Sequence, residues 1–212
     1  MPFLSSQAIF FSTADKVRLE ADIYPTRHPW CVLAHGKKYD KNSWQALATE
    51  MQGWGWTALA PNFRGYGQSE LGDGSRYDQD ILASISFARS EHARPIVLLG
   101  ASMGGEAVLA ALAESDLPVD AVILLSPAGG TEYLPRLAGK VSCGLLLFSE
   151  NEAYADPARV IAGHSPFPIL VRRWPGNLHA HHLLDDPDLG PEVRSAIGDF
   201  LVHQVGLKNA AR

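Results

Sequence analysis

The residues that could carry chemistry begin with one serine set between glycines. Residues 96–105 read Ile-Val-Leu-Leu-Gly-Ala-Ser-Met-Gly-Gly, so Gly100 lies two positions before Ser102 and Gly104 two positions after it. The apolar run before the serine is typical of a buried strand, and the alanine- and leucine-rich run after it is typical of a helix. Between a strand and a helix, Gly-x-Ser-x-Gly predicts a nucleophile elbow, a tight turn on which the serine hydroxyl stands clear of the backbone. The alternative is an ordinary glycine-rich turn in which the serine has no role.

The elements that would position this serine alternate along the chain. The runs 8–12 and 17–24 predict an antiparallel hairpin, because the second run alternates apolar and polar residues. Later strands are continuously apolar, which is typical of strands covered on both faces by helices. These strands are predicted at 30–34, 56–61, 96–100, 121–127, 144–149 and 168–174, with helical segments between them and a closing helix that starts at Pro191. The pattern predicts an α/β fold with a mostly parallel sheet of about eight strands and helices on both faces.

Composition favours one soluble domain over residues 1–212, with 46% hydrophobic and 19% charged residues. The net charge of −5 argues against nonspecific nucleic-acid binding, which requires concentrated Lys and Arg. No apolar run reaches the roughly 18 residues of a membrane span, and the N-terminus does not resemble an export signal. Cys31 and Cys143 lie in or beside apolar runs and are interpreted as reduced, structural thiols. We therefore expect a cytoplasmic protein.

Further motifs, taken together with the serine, resemble the α/β-hydrolase superfamily. His35-Gly36 ends one predicted strand, residues 62–69 (Asn-Phe-Arg-Gly-Tyr-Gly-Gln-Ser) follow the next, and a histidine lies towards the C-terminus. These motifs occur in the superfamily's order over nearly the whole chain. The resemblance implies the α/β-hydrolase fold and a serine hydrolase that needs no metal or organic cofactor. Larger members insert a cap domain where this chain has only residues 127–141, so we expect no cap domain and an open site.

The resemblance implies that the catalytic base comes last in the chain, on the loop after the final strand. Residues 175–184 supply three histidines there, His179, His181 and His182. The family usually shows a histidine followed shortly by apolar residues, which favours His179, with His181 or His182 as alternatives. A His-x-His-His cluster can also bind zinc, but no cysteine or acid-rich group accompanies this one. His35 is a poor alternative base because it ends a strand that precedes the elbow.

The resemblance also implies an acid on the loop after the penultimate strand, where the family's pattern is an apolar residue, Gly, two further residues and Asp. Residues 148–152 read Phe-Ser-Glu-Asn-Glu and depart from that pattern at two positions. The register gives Glu152 the place of the acid, and glutamate is an attested acid in this fold. The alternatives, in order, are Asp156, Glu150 and Glu132.

Two backbone N–H groups are expected to bind the oxyanion of a tetrahedral intermediate. Met103 follows the serine at a helix N-terminus, where the helix dipole and unpaired donors favour negative charge. The resemblance gives the second N–H to Lys37, which follows His35-Gly36. Lys37, Lys38 and Arg64 also lie at the carboxyl ends of strands, where open α/β sheets bind ligands. Together they could attract an anionic ester, or they are solvated loop charges.

Two functions are compatible with these residues. The first is a serine hydrolase of carboxylesterase type that cleaves a small-molecule ester or thioester: Ser102 attacks, His179 transfers the proton and Glu152 orients His179. The second is a hydrolase-fold protein that binds a ligand or partner with weak or no catalysis, because a fold does not determine a function. The unusual acid loop supports the second, and the intact serine, histidine and oxyanion residues favour the first. Without a lid, short-chain, water-soluble esters are the expected substrates.

Overall fold

An eight-stranded sheet forms the centre of the fold. A computed structural model describes residues 5–26, 28–116 and 118–206. The strands are β1 (Gln7–Ser12), β2 (Arg18–Tyr24), β3 (Trp30–Ala34), β4 (Thr57–Pro61), β5 (Ile96–Ala101), β6 (Val119–Leu125), β7 (Val141–Ser149) and β8 (Ile169–Trp174). They are arranged in the order β1-β2-β4-β3-β5-β6-β7-β8. The β1–β2 hairpin and the β2–β4 pair are antiparallel, and all other pairs are parallel. The predicted α/β-hydrolase fold, a mostly parallel sheet with an N-terminal antiparallel hairpin, is confirmed.

Helices cover both faces of the sheet, as predicted. The α-helices of the described residues are α1 (Gln45–Gly53), α2 (Tyr77–Ser90), α3 (Met103–Glu114), α4 (Ala155–His164), α5 (His181–Asp185) and α6 (Gly190–Asp199). The apolar core on one face contains residues of α2, α3 and α4, and the core on the other face contains residues of α1, α5 and α6. The predicted closing helix is α6, with Pro191 in its first turn, and it continues as a π-helical turn over Phe200–Gly206.

Successive residues of the parallel strands point to opposite faces of the sheet. Val32 of β3 and Leu98 of β5 lie in the core beneath α2, α3 and α4, whereas Leu33 and Leu99 lie in the core beneath α1, α5 and α6. Both sets of positions must be apolar, because helices exclude water from each face. This explains why the strands show no polar alternation. The edge strand β8 is the exception, and its Leu170 is 50% exposed.

The connection between β6 and β7 is short. Residues 127–140 contain one element of regular structure, a 3₁₀ helix over Thr131–Arg136. No cap domain is therefore inserted at this position, as the sequence predicts. Cys31 on β3 and Cys143 on β7 are buried, and neither forms a disulfide in the described part of the chain.

The close crossing of α3 over the end of β3 explains the glycines around Ser102. A Cβ atom at Gly104 would lie 2.2 Å from the carbonyl oxygen of Ala34, and one at Gly100 would lie 2.5 Å from the carbonyl oxygen of Gly104. Both obstacles are backbone atoms, which cannot rotate away. The turn between these glycines gives Ser102 a φ of 53° and a ψ of −117°, a conformation that L-residues rarely adopt. The predicted tight turn between strand and helix is confirmed.

We predict that Gly104→Ala lowers the free energy of unfolding by about 3 kcal/mol, because overpacking against backbone cannot be relieved by a rotamer change. The measurement is urea-induced unfolding. The matched control is Gly163→Ala in α4, where a Cβ atom would meet no atom within 4 Å. Helix propensity should make that variant about 0.5–1 kcal/mol more stable than wild type. Equal stability of the two variants would contradict the steric explanation.

Candidate active site

Ser102 is held by its backbone on both sides. Its N–H donates to the carbonyl of Leu125 at 3.0 Å, and its own carbonyl accepts from the N–H of Ala128 at 3.2 Å. The residues directly after β6 therefore fix the turn that presents the Ser102 hydroxyl. The position lies at the carboxyl end of β5, the edge at which open α/β sheets bind ligands.

His179 reaches this serine from a distance of 77 residues in sequence. Its Nε2 lies 2.8 Å from Ser102 Oγ, a distance typical of a strong hydrogen bond. The histidine lies on the loop that connects β8 to α5, as the resemblance implies. The next residue, Ala180, has a φ of 51°, so the backbone turns sharply immediately after His179.

Glu152 lies on the other side of the His179 ring. Nδ1 of His179 and Oε2 of Glu152 are hydrogen-bonded, and the carboxyl side chain has no exposed surface. The second oxygen, Oε1, accepts from the N–H of Ser149 at 3.2 Å, which fixes the carboxylate at the end of β7. A carboxylate at Nδ1 favours the tautomer that carries its proton there, so that Nε2 can accept the serine proton.

The other candidate acids do not reach the histidine. The side chain of Asp156 is 89% exposed and pairs with Arg159. Glu150 is 43% exposed and lies near Arg173, and Glu132 is also exposed. The structure thus brings together Ser102, His179 and Glu152, the three residues that the sequence favours.

The other histidines of the 175–184 loop point elsewhere. His181 is fully buried, stacks on Tyr39 at 4.1 Å between ring centroids, and has its Nε2 3.0 Å from Ser43 Oγ. His182 Nε2 lies 3.4 Å from the hydroxyl of Tyr39. In the described part of the chain, no three His, Cys, Asp or Glu side chains converge as metal ligands.

His35 is fully buried and holds the loop that follows β3. Its Nε2 accepts from the N–H of Phe63 at 3.1 Å, and its Nδ1–H donates to the carbonyl of Gly36 at 2.9 Å. This pattern requires a neutral ring, since a second proton on Nε2 would oppose the Phe63 N–H. Burial lowers the pKa of His35 to about 4. His35 therefore has no free nitrogen for proton transfer.

The two predicted oxyanion donors flank the serine. Met103 is the first residue of α3, and a Cβ atom at Gly36 would lie 3.4 Å from Ser102 Cβ, so the 36–37 loop passes directly beside Ser102. Within the described residues, the N–H groups of Lys37 and Met103 donate no hydrogen bond. Neither N–H group is therefore occupied by another group of the described chain.

Tyr66 is a residue of this site for which the sequence analysis predicts no role. Its hydroxyl donates to the carbonyl of Lys37 at 3.0 Å, and its ring packs edge-on against His35 with centroids 4.6 Å apart. Tyr66 therefore fixes the 36–37 loop from the solvent side. An aromatic residue between two glycines, in a loop at the carboxyl end of a strand, is the sequence signal that could have indicated this role.

Arg64 is not available to a substrate. Its side chain is 1% exposed and forms ion pairs with Asp80 at 2.8 Å and with Asp15 at 2.8 Å. The hypothesis that Arg64 attracts an anionic ester is therefore wrong, because its charge is neutralised inside the protein. Lys37 and Lys38 differ from it, since they line an open groove in front of the 36–37 loop.

A cavity of about 470 Å³ adjoins Met103. Its lining mixes aromatic and charged side chains, among them Tyr77, Tyr133 and Glu106. Burial and the nearby Glu132 raise the pKa of Glu106. Met103, which carries one of the predicted oxyanion donors, lies in the wall of this cavity.

Residues 26–165, more than half of the chain, match the model of a family described as serine aminopeptidase, S33. The matched range contains Ser102 and Glu152 and ends before His179. No curated protein sequence matches the chain. Within the described residues, no helix combines the length and apolar character needed to cross a membrane.

Solved structures share the fold over almost their whole length. An esterase from Exiguobacterium antarcticum is 13% identical with a TM-score of 0.75, over 92% of this chain and 99% of that one. A thermostable carboxyl esterase from Bacillus coagulans is 13% identical with a TM-score of 0.78, over 95% and 99%. A predicted CIB-like hydrolase from Thermoplasma acidophilum is 19% identical with a TM-score of 0.72, over 93% and 98%. At these identities the likeness concerns the fold.

We predict that the free energy of unfolding decreases as the pH falls from about 6.5 towards 4. Burial lowers the pKa of His35 to about 4, and burial together with the neighbouring histidines lowers that of His181 to about 3, both from 6.5. In this window the unfolded chain binds more protons than the folded chain, so stability rises with pH and is lost on acidification.

The test is urea unfolding over a pH series with His181→Phe, which keeps an aromatic ring against Tyr39. Removing one titrating group should reduce the slope near pH 5 by about 1.4 kcal/mol per pH unit. The lost contact with Ser43 adds an offset that is the same at every pH. An unchanged slope would show that His181 is not held neutral in the folded chain.

Proposed function

The chain belongs to the serine aminopeptidase S33 family of α/β-hydrolases, and we propose that it is a serine hydrolase that cleaves a carboxylic ester or thioester through an acyl-serine intermediate. The observation that carries the proposal is the contact of 2.8 Å between Ser102 Oγ and His179 Nε2. The same imidazole is hydrogen-bonded through Nδ1 to the buried Glu152. A protein that only binds a ligand needs none of these contacts.

In the acylation step, Ser102 Oγ attacks the carbonyl carbon of the substrate while His179 Nε2 takes the hydroxyl proton. Glu152 accepts the hydrogen bond from Nδ1 and stabilises the imidazolium that forms. His179 then returns the proton to the leaving alkoxide or thiolate. The products of this step are an alcohol or thiol and an acyl ester of Ser102.

The negative charge on the substrate oxygen forms between Met103 N–H and Lys37 N–H in this proposal. Both donors are part of the backbone and need no reorganisation when the charge develops, which is how an oxyanion hole lowers the barrier. His35 and Tyr66 hold the loop that carries Lys37. The lysine side chain has no role in this step, so its identity is free to vary.

In the deacylation step, His179 Nε2 takes a proton from a water molecule, and the resulting hydroxide attacks the acyl carbon. The tetrahedral intermediate collapses with release of a carboxylic acid, and His179 returns its proton to Ser102 Oγ. The reaction consumes one water and regenerates the free serine. The residues named supply every proton transfer that the cycle requires.

The shape of the site favours small, water-soluble substrates. No cap domain lies between β6 and β7, so no apolar surface is available from that connection to cover a long acyl chain. The cavity beside Met103 measures about 470 Å³, which is within the usual range of pockets that bind small molecules. Peptides are a poorer match than esters, because the short connection between β6 and β7 offers no surface that would orient an extended chain.

We predict that a fluorophosphonate probe labels Ser102 stoichiometrically. Ser102→Ala should abolish labelling and ester turnover, and His179→Ala should slow labelling by about 1,000-fold because the hydroxyl loses its base. Mass spectrometry of the labelled peptide identifies the site. If the folded wild-type chain is not labelled, the protein is better described as a ligand- or partner-binding member of this fold.

We predict that Glu152→Gln reduces kcat by about 1,000- to 10,000-fold, because the amide stabilises neither the correct tautomer nor the imidazolium. Steady-state hydrolysis of short aryl esters provides the measurement. Asp156→Asn is the matched control, since this carboxylate lies four residues further on and its side chain is 89% exposed. Activity of Asp156→Asn should remain within about twofold of wild type. A larger loss of kcat in Asp156→Asn than in Glu152→Gln would show that Glu152 is not the acid that supports His179.

A further inference from the structure

A buried serine outside the Ser102–His179–Glu152 group contacts the loop that carries the histidine. Ser126 directly follows β6 and is fully buried. Its Oγ accepts a hydrogen bond of 3.1 Å from the N–H of Ala180, the residue after His179. We propose that Ser126 is a positioning residue that holds the His179 imidazole in line with Ser102, a proposal that rests on the hydrolase function proposed above.

Ser126 connects three strand ends through its own backbone and that of its neighbour. Its N–H donates to the carbonyl of Leu147 on β7 at 2.8 Å. The carbonyl just before it, that of Leu125, accepts from the N–H of Ser102 at 3.0 Å. The backbone at Leu125 and Ser126 thus fixes the position of Ser102 relative to β6 and β7. The side chain of Ser126 connects the loop of His179 to the same backbone through Ala180.

The bonded N–H belongs to the peptide group between His179 and Ala180. The orientation of this peptide plane is linked to the backbone of His179, and therefore to the direction in which its side chain leaves the backbone. Ala180 has a φ of 51° and a ψ of −115°, a conformation that non-glycine residues rarely adopt without support. Beyond it, α5 begins with bonds from the N–H groups of His182 and Leu183 to the carbonyls of His179 and Ala180.

Ser126 itself has a φ of 47°. Two non-glycine residues in the left-handed region therefore meet through one hydrogen bond, next to Ser102, which is a third. Strained backbone of this kind persists where surrounding contacts over-determine it, and such places cluster at functional sites. The Ser126 hydroxyl is one of those contacts, because Ala180 is 1% exposed and its N–H would otherwise be buried without a partner.

The proposal predicts a change in kcat and not in KM. Ser126 contacts the histidine loop, whereas the oxyanion donors and the cavity beside Met103 involve other residues. A small displacement of a catalytic group reduces the rate strongly, since a shift of about 1 Å can cost on the order of 100-fold. We expect Ser126→Ala to lower kcat by about 10- to 100-fold while KM stays within about twofold.

The experiment compares Ser126→Ala, Ser126→Gly and Thr57→Val by ester kinetics and urea unfolding. Thr57 is the first residue of β4, so it lies at the amino ends of the parallel strands, away from Ser102. Its buried Oγ1 likewise accepts from a backbone N–H, that of Thr26, at 2.8 Å. Thr57→Val should lower the unfolding midpoint and leave kcat within about twofold. Ser126→Gly removes the hydroxyl and relieves the positive φ, so it should be at least as stable as Ser126→Ala and lose the same factor in kcat.

A third measurement is the imidazole proton of His179 in the ¹H NMR spectrum, assigned by its disappearance in His179→Ala. We expect this resonance to shift or broaden in both Ser126 variants and to remain unchanged in Thr57→Val. If wild type neither hydrolyses esters nor reacts with the fluorophosphonate, the proposed function fails, and the resonance still tests the positioning role. An unchanged resonance in Ser126→Ala, or a kcat loss no larger than that of Thr57→Val, would overturn the role of Ser126.

Discussion

The contact between Gly104 and the carbonyl of Ala34 is the constraint on which the site depends. It allows the first turn of α3 to cross the end of β3 at a distance that any side chain would prevent. The crossing brings Ser102 and Met103 next to the 36–37 loop, which contains the other predicted oxyanion donor. The proposed nucleophile and the proposed oxyanion donors are thereby joined by backbone packing, which is rigid because protein interiors are close-packed. The strained conformation of Ser102 follows from the same approach, since the chain must reverse between β5 and α3 within a few atoms.

The order of the parallel strands brings the remaining residues to that point. Lys37 follows β3, Ser102 follows β5, Ser126 follows β6, Glu152 follows β7 and His179 follows β8. These five strands are neighbours in the sheet in that same order, and their carboxyl ends lie along one edge. Contacts that span 77 residues between Ser102 and His179, and 54 between Ser126 and Ala180, are therefore a consequence of strand pairing. Short loops at this edge have only to place one side chain each.

The sequence predicted those parts of the fold and site that are dictated by residue type over a short stretch. The elbow is predictable because backbone crowding requires glycine at Gly100 and Gly104, and the parallel strands because covering helices require apolar residues on both faces. The contact of Ser126 with Ala180 was not predictable, since one hydrogen bond across 54 residues leaves no periodic signal. Arg64 misled for a related reason. In the sequence, Arg64 is indistinguishable from a solvated charge in a polar loop, because the carboxylates that pair with it lie elsewhere in the chain. The fold buries Arg64 next to Asp80, and the side chain therefore has a structural role.

The histidines at the carboxyl ends of the strands have two different roles. One is proposed to transfer protons, and the others contribute to the stability of the fold. His35 and His181 are fully buried, and their hydrogen bonds to Phe63 N–H and Ser43 Oγ fit a neutral ring. Protonating His35 would set a second N–H against that of Phe63, and protonating His181 would place a proton on its buried Nδ1, which has no partner. Either change puts a charge in an apolar core, which opposes folding. His179 differs because its ring joins a carboxylate to a hydroxyl, so the charged form that proton transfer would create has a partner on Nδ1. His179 and His181 are only two residues apart, but the backbone turns sharply at Ala180 between them. As a result, the imidazole of His179 points to Ser102 and the imidazole of His181 points into the core.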